Sequence, residues 1–201
     1  MAYVPKSRLE AFADGIFAIA ATLLILNVAV AEGQPLGPEL VRIWPSYAAY
    51  AVSFVTLGVI WINHHLVMHQ VSHVDRLFLV LNVLFLAVIA FIPFPTRLLS
   101  LYITTGDAKA AALGYGITLT LTAVMFNAIW RYAAWGRRLI RQDADPKVVS
   151  GIGRSYLAGP IIYFVATVVA LVGPQLSAVL YGLIALFYVL ESSVFGRAEA
   201  R

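Results

Sequence analysis

The chain has 201 residues, of which 61% are hydrophobic and only 12% charged, against about half and about a quarter in an average soluble domain. With a mean hydropathy of +0.86, a single soluble core of this length cannot hide the apolar surface. Soluble enzymes, extracellular disulfide domains and disordered chains are excluded, and an all-α integral membrane protein is left.

The first apolar run is Gly15 to Ala31, extended backward by Phe12 and Ala13, and predicts a membrane helix over about residues 9–30. Lys6 and Arg8, the apolar run and Ala29-Val30-Ala31 resemble a cleaved signal peptide, but Glu10 and Asp14 are acids where such a peptide wants none. Asp14 lies one turn inside the helix; an aspartate at a bilayer centre costs about 2.5–3.5 kcal/mol, and its short stem limits snorkelling. Arg8 sits about 120° from it on a helical wheel and reads as an anchor at the helix end. Phe12, Ile19, Leu23, Leu26 and Val30 cluster within about 60° of one another, with Asp14 roughly 140° from their centre. This aliphatic stripe is a lipid face, a packing seam or a hydrophobic constriction in a pore.

The second helix is predicted over 44–69. Its end carries Trp61, Asn63, His64 and His65. His65, His69 and His73 fall at i, i+4 and i+8, a spacing that places imidazoles on one face, but no matching Glu or Cys accompanies them, so no metal site is assigned. The third helix, over 76–102, places Asn82 a turn and a half from its start. Asp14, Trp61, His64 and Asn82 therefore share a depth, where they form either a structural cluster or a proton relay. The fourth helix is predicted over 109–135. Arg131 to Arg154 is the one sizeable polar loop, with Asp143-Ala-Asp-Pro146 as a turn. Ser155 to Leu190 is too long for one helix; Gly173-Pro174 divides it into helices over 156–173 and 175–195. No stretch alternates as a barrel strand would.

Six helices make one transmembrane domain over 1–201. With the N-terminus inside, 11 of the 14 Lys and Arg residues fall on the cytoplasmic side and three, Arg42, Arg97 and Lys109, outside; both termini are then cytoplasmic. The net charge of +4 thus orients helices and calls for no nucleic acid partner. The absence of cysteine removes disulfides, thiolate metal sites and thiol catalysis. No cofactor is called for, and no nucleophile or metal spacing suggests an enzyme.

Three passages in order resemble a known family. They are Arg8-Leu-Glu-Ala-Phe12-Ala-Asp14, Trp61-Ile-Asn-His64-His65, and Asn82 followed by Phe91-Ile-Pro93-Phe-Pro95-Thr96. Together they resemble the lysosomal potassium channel family (transmembrane protein 175) and its prokaryotic relatives, whose hallmark is R-x-x-x-F-S-D; Ala13 stands here where the family has Ser. The resemblance implies a K+ channel in a prokaryotic cell membrane, assembled as a homotetramer in the lipid bilayer, with the first helix lining the pore. It implies a constriction at Ile19, further layers at Leu23 and Leu26, a selectivity-linked hydroxyl at Thr22, and a structural motif of Arg8, Phe12, Asp14, Trp61, His64 and Asn82. The alternative function is a proton or small-solute secondary transporter using Asp14 and His64; a scaffold without transport is the third.

Overall fold

The structure, a computed structural model, describes the backbone of residues 6–198 and the side chains of residues 6–190. Its helices are α1 (Lys6–Leu23), continued by a 3-10 turn (Leu24–Asn27), α2 (Leu36–Arg42), α3 (Trp44–Gln70), α4 (Arg76–Phe91), α5 (Pro93–Tyr102), α6 (Ala108–Ala134), a second 3-10 turn (Trp135–Arg137), α7 (Pro146–Val169) and α8 (Pro174–Ala198). Among the described residues five spans are long and apolar enough to cross a membrane: Lys6–Asn27, Trp44–Gln70, Arg76–Tyr102, Ala108–Arg137 and Pro146–Val169. A further apolar stretch, Pro174–Leu190, lies in α8.

Local chemistry sets these boundaries. Prolines sit in the first turns of α3, α5 and α7, where a missing N–H costs nothing. Asp75 caps α4 by accepting from the Phe78 amide at 2.9 Å, and Asp145 caps α7 by accepting from the Lys147 amide at 2.7 Å. This cap starts α7 at Pro146, nine residues before the apolar run that opens at Ser155. The polar loop expected over Arg131 to Arg154 thus shrinks to the short connection between α6 and α7.

Pro93 and Pro95 break the third span into α4 and α5 at Ile92, whose amide reaches only to Ile89 O. The kink is tied from both sides. Thr96 donates its hydroxyl to Ile92 O, and Asn27 donates to Pro93 O at 3.3 Å. Pro160 lies inside α7 and cannot donate to the carbonyl four residues back, Tyr156 O. Asn127 on α6 takes that place, donating Nδ2 at 2.6 Å. In a bilayer no water can do this, so the neighbouring helix does.

The core runs along α6, whose Tyr115, Leu119, Ile129, Trp130 and Ala133 are almost fully buried. Its Gly116 admits α8: a Cβ there would overlap the Tyr181 hydroxyl, which donates to Ala112 O at 3.3 Å. Ser53, Thr96 and Tyr115 form a buried hydroxyl chain across α3, α5 and α6, each link 2.9 Å long.

The two ends of the bundle differ. At one end Lys6 donates to Met68 O and Val71 O, two carbonyls at the end of α3. The connection between α3 and α4 also pairs with that between α6 and α7: Ser72 N donates to Leu139 O and Arg141 N to Gln70 O. Asp75 accepts from the Tyr132 hydroxyl at 2.6 Å and faces Arg138 at 3.7 Å. Burial alone would raise the Asp75 carboxyl, but the Tyr132 hydroxyl, the Phe78 amide and Arg138 together hold it below its ordinary value. At the other end Glu39 receives Arg42 Nε at 2.6 Å and Nη2 at 2.7 Å, and the Ala31 amide at 3.0 Å. Arg42 and then Ala31 hold its carboxyl well below the usual range, to about 2.

Candidate functional site: the exposed face of the first helix

On α1 and the first residue of its 3-10 continuation, Leu9, Ala13, Phe17, Ala20 and Leu24 are buried. Their steps of four, four, three and four residues draw one stripe down an α-helix, and it packs against α3 and α4. The residues predicted to form the aliphatic stripe lie on the other side. Ile19 is 58% exposed and Leu26 67%, and Phe12, Leu23 and Val30 are also open. A packing seam within the subunit is thereby excluded for these side chains.

The helix is shorter than predicted. Regular α-helix ends at Leu23, and Leu24–Asn27 tightens into a 3-10 turn. Val28 leaves the helix with ψ 86°, its amide bonded to Ile25 O. A 3-10 turn advances about 120° per residue instead of 100°. The wheel therefore holds for Phe12, Ile19 and Leu23, shifts at Leu26 and fails at Val30.

Thr22 is exposed beside Ile19 and donates its hydroxyl to Ile19 O at 2.9 Å. Its proton is thus committed to the helix, leaving the oxygen lone pairs as acceptors. That is the polarity a cation requires.

The expected four-residue polar cluster divides into two pairs. Trp61 donates Nε1 to Asp14 Oδ1 at 2.8 Å, and both residues are exposed on the single chain. One turn along α3, His64 is 3% exposed and Asn82 fully buried. His64 Nε2 lies 3.0 Å from Asn82 Oδ1, while Asn82 Nδ2 donates to Phe78 O. Because the amide nitrogen is used there, Oδ1 accepts and Nε2 carries the proton. The imidazole stacks on Phe85 (5.7 Å between centroids, 7° between planes), and Phe17 tilts against both rings. This pair joins α3 to α4 beneath α1; the Asp14–Trp61 pair joins α1 to α3 at the surface. The division has a geometric cause. Asp14 lies about 100° from the middle of the buried stripe of α1, too far round to enter the core.

Arg8 and Phe12 are both exposed. Ala13, which stands where Ser was expected, is buried to within 1%. Of the histidine row, His65 and His69 are exposed, and His73 takes a 2.8 Å hydrogen bond with Ser72. Among the described residues no three His, Asp or Glu side chains converge as metal ligands.

Sequence reasoning missed several anchors. Lys6 as a cap on another helix has no local signal. Asp75 had one, an Asp immediately before a basic residue and an apolar run. Glu39 and Arg42 had another, their i, i+3 spacing. Asn127 could be found only by asking which group serves the carbonyl that Pro160 frees.

A family model described as endosomal/lysosomal potassium channel TMEM175 matches residues 8–93. The chain is 38% identical over 191 residues to a potassium channel of Chamaesiphon minutus, covering 92% of this chain and 94% of that one. It is 37% identical over 187 residues to a potassium channel of Streptomyces collinus, covering 91% of each. Its structure is similar to the crystal structure of a lysosomal potassium-selective channel TMEM175 homolog from Chamaesiphon minutus, with a TM-score of 0.85 at 35% identity, over 92% of this chain and 97% of that chain.

Proposed function

The chain belongs to the TMEM175 family of ion channels, and from that premise we propose that it conducts K+ passively across a prokaryotic cell membrane through a homotetrameric pore lined by α1. Each subunit contributes six membrane helices, α8 being the sixth, with both termini in the cytoplasm. The observation that carries the reading is the open face of α1. Ile19, Leu23 and Leu26 are exposed while the opposite stripe is packed, and a bundle of this size does not enclose a passage alone. A symmetric ring of four copies covers these faces and turns them into the wall of a conduit.

Ile19 is the narrowest layer, with Leu23 and Leu26 as further layers outward. An aliphatic ring excludes water, so an ion sheds hydration there with nothing to replace it. Thr22, one turn from Ile19 with its lone pairs free to accept, offers partial replacement and favours K+, the less strongly hydrated cation. The Asp14–Trp61 pair holds α1 against α3, and the His64–Asn82 pair fixes the wall behind it.

The test is reconstituted current under bi-ionic K+ and Na+ conditions. Ile19→Asn is expected to wet the constriction and raise conductance severalfold, and Thr22→Val to shift the reversal potential toward that of an unselective pore. Unchanged conductance and unchanged reversal potential would return the face to a lipid-facing role. The alternative, a proton or small-solute transporter, predicts saturable flux without single-channel steps.

A further inference from the structure

A groove of about 620 Å³ opens at the basic end of the bundle, between the end of α6, the Trp135–Arg137 turn and the start of α7. Trp130, Val149 and Leu157 supply apolar wall, and Arg131, Trp135 and Arg137 stand at its rim. We propose that this groove binds one anionic phospholipid of the adjoining leaflet, its phosphate between Arg131 and Arg137 and an acyl chain along α7.

Four observations carry this. The first is charge. Every carboxylate nearby is engaged: Asp75 with Tyr132 and Arg138, Asp143 with Arg141, and Asp145 with the α7 amide it caps. Neither Arg131 nor Arg137 meets a carboxylate among the described residues. Arg137 spends one terminal nitrogen on two backbone carbonyls, Arg141 O and Ala144 O, which fix the side chain without neutralising it. Two uncompensated guanidiniums at one rim are a phosphate's complement.

The second is the backbone. Arg137 has φ 56° and follows Gly136 at φ 59°. A left-handed conformation is unfavourable for a non-glycine residue and points to a placement the local chain does not prefer. Here it turns the guanidinium to the rim.

The third is the floor. Trp130 is 98% buried, and its Nε1 would lie 3.3 Å from a Cβ on Gly153. A side chain at this position would have to push the indole edge back by a few tenths of an ångström, so the glycine suits the close approach to α7. Trp130 and Gly153 both line the groove, which puts this N–H at its floor, within reach of a headgroup oxygen.

The fourth separates a lipid from a soluble phosphate. The groove continues at Leu157 into an exposed apolar row on α7, Ile161, Phe164 and Val168, spaced four, three and four residues apart. One end is therefore polar and cationic and the other greasy, which suits an amphiphile. Anionic headgroups at a membrane surface gain about 1 kcal/mol per basic residue, so losing two arginines should cost affinity roughly tenfold or more.

The inference rests on the membrane-spanning fold and not on K+ conduction, so it can fail or hold independently of the channel reading. The test is native mass spectrometry of the full-length, delipidated protein. It is titrated with phosphatidylglycerol and with phosphatidylcholine of the same chains, and glycerol phosphate serves as soluble competitor. The wild type is expected to bind phosphatidylglycerol about tenfold more tightly, R131Q/R137Q to lose that preference, and Arg131→Lys/Arg137→Lys to keep most of it. Ser150→Asp puts a negative charge in the groove at an exposed site and should weaken phosphatidylglycerol alone, which covers a failure of the double variant to fold. Equal affinity for the two lipids, a preference unchanged in both Gln and Asp variants, or displacement by glycerol phosphate at matching concentration would overturn the proposal.

Discussion

Phe17 and Ile19 lie two residues apart on α1, are both strongly apolar, and meet opposite fates. Phe17 is 4% exposed and packs on His64 and Phe85; Ile19 is open on the single chain. Hydrophobicity does not separate them in a membrane protein, because lipid and protein interior are about equally apolar. What separates them is the partner surface. α3 and α4 together cover only about one flank of α1, and this flank is closed by aromatic stacking and by one fully satisfied polar pair. The other flank carries residues that no helix of the described chain covers. The difference shows that side-chain direction, and not greasiness, decides which apolar residue of a bilayer helix is packed within its own subunit.

The packed side of α1 is the more sensitive to substitution. Phe17→Ala removes a ring from a closed core and is expected to cost about 3–5 kcal/mol of subunit stability. Ile19→Ala, on the open side, should change subunit stability by less than about 0.5 kcal/mol. Denaturation in mixed micelles compares the two, and equal losses would mean that Ile19 is packed within its own chain.

Asn82→Ala comes next. It leaves the buried His64 N–H without its acceptor, which should cost about 1–3 kcal/mol. His64→Leu/Asn82→Leu, which removes both partners, should recover part of the loss. No recovery would show that the pair contributes something beyond mutual satisfaction.

A smaller effect is expected at the surface pair. Asp14→Asn keeps an acceptor for the Trp61 indole and should weaken the bond by about 1 kcal/mol or less. Asp14→Ala should lower the yield of assembled particles before it lowers the stability of the subunit. Normal assembly with altered ion selectivity would make Asp14 a conduction element.

The smallest effect is a pH dependence at the basic end. The Asp75 carboxyl is held below its ordinary value in the folded protein. Its contribution to stability is therefore present at neutral pH and lost as pH falls below about 4, through the depressed folded value. Asp75→Asn should flatten that part of the stability profile, and an unchanged profile would show that the Tyr132 and Arg138 contacts matter little.

Much of this was legible in the chain. Apolar runs locate the spans because each must satisfy its own backbone in lipid. The rarity of intramembrane polar residues singled out Asp14, His64 and Asn82 before any contact was known, and the motif order Arg8, Trp61, Asn82 identified the family. The end of helix one was not legible, since Leu24–Asn27 contains no breaker and the 3-10 tightening answers to the Asn27 contact with the kink at Pro93. The start of α7 was hidden by Lys147 and Arg154, charges that hydropathy counts against a span although the Asp145 cap begins the helix there.

By itself the sequence determined what is local or additive: membrane residence, the apolar runs that become helices and the breaks at proline. Only the tertiary structure decided which flank of α1 is closed, that Asp14 pairs with Trp61 while His64 pairs with Asn82, and that Asn127 serves the carbonyl freed by Pro160. The physical reason is that insertion responds to the summed apolarity of a segment. Packing and hydrogen-bond pairing depend instead on the direction of each side chain and on which helix stands opposite, and that is a property of the assembled bundle.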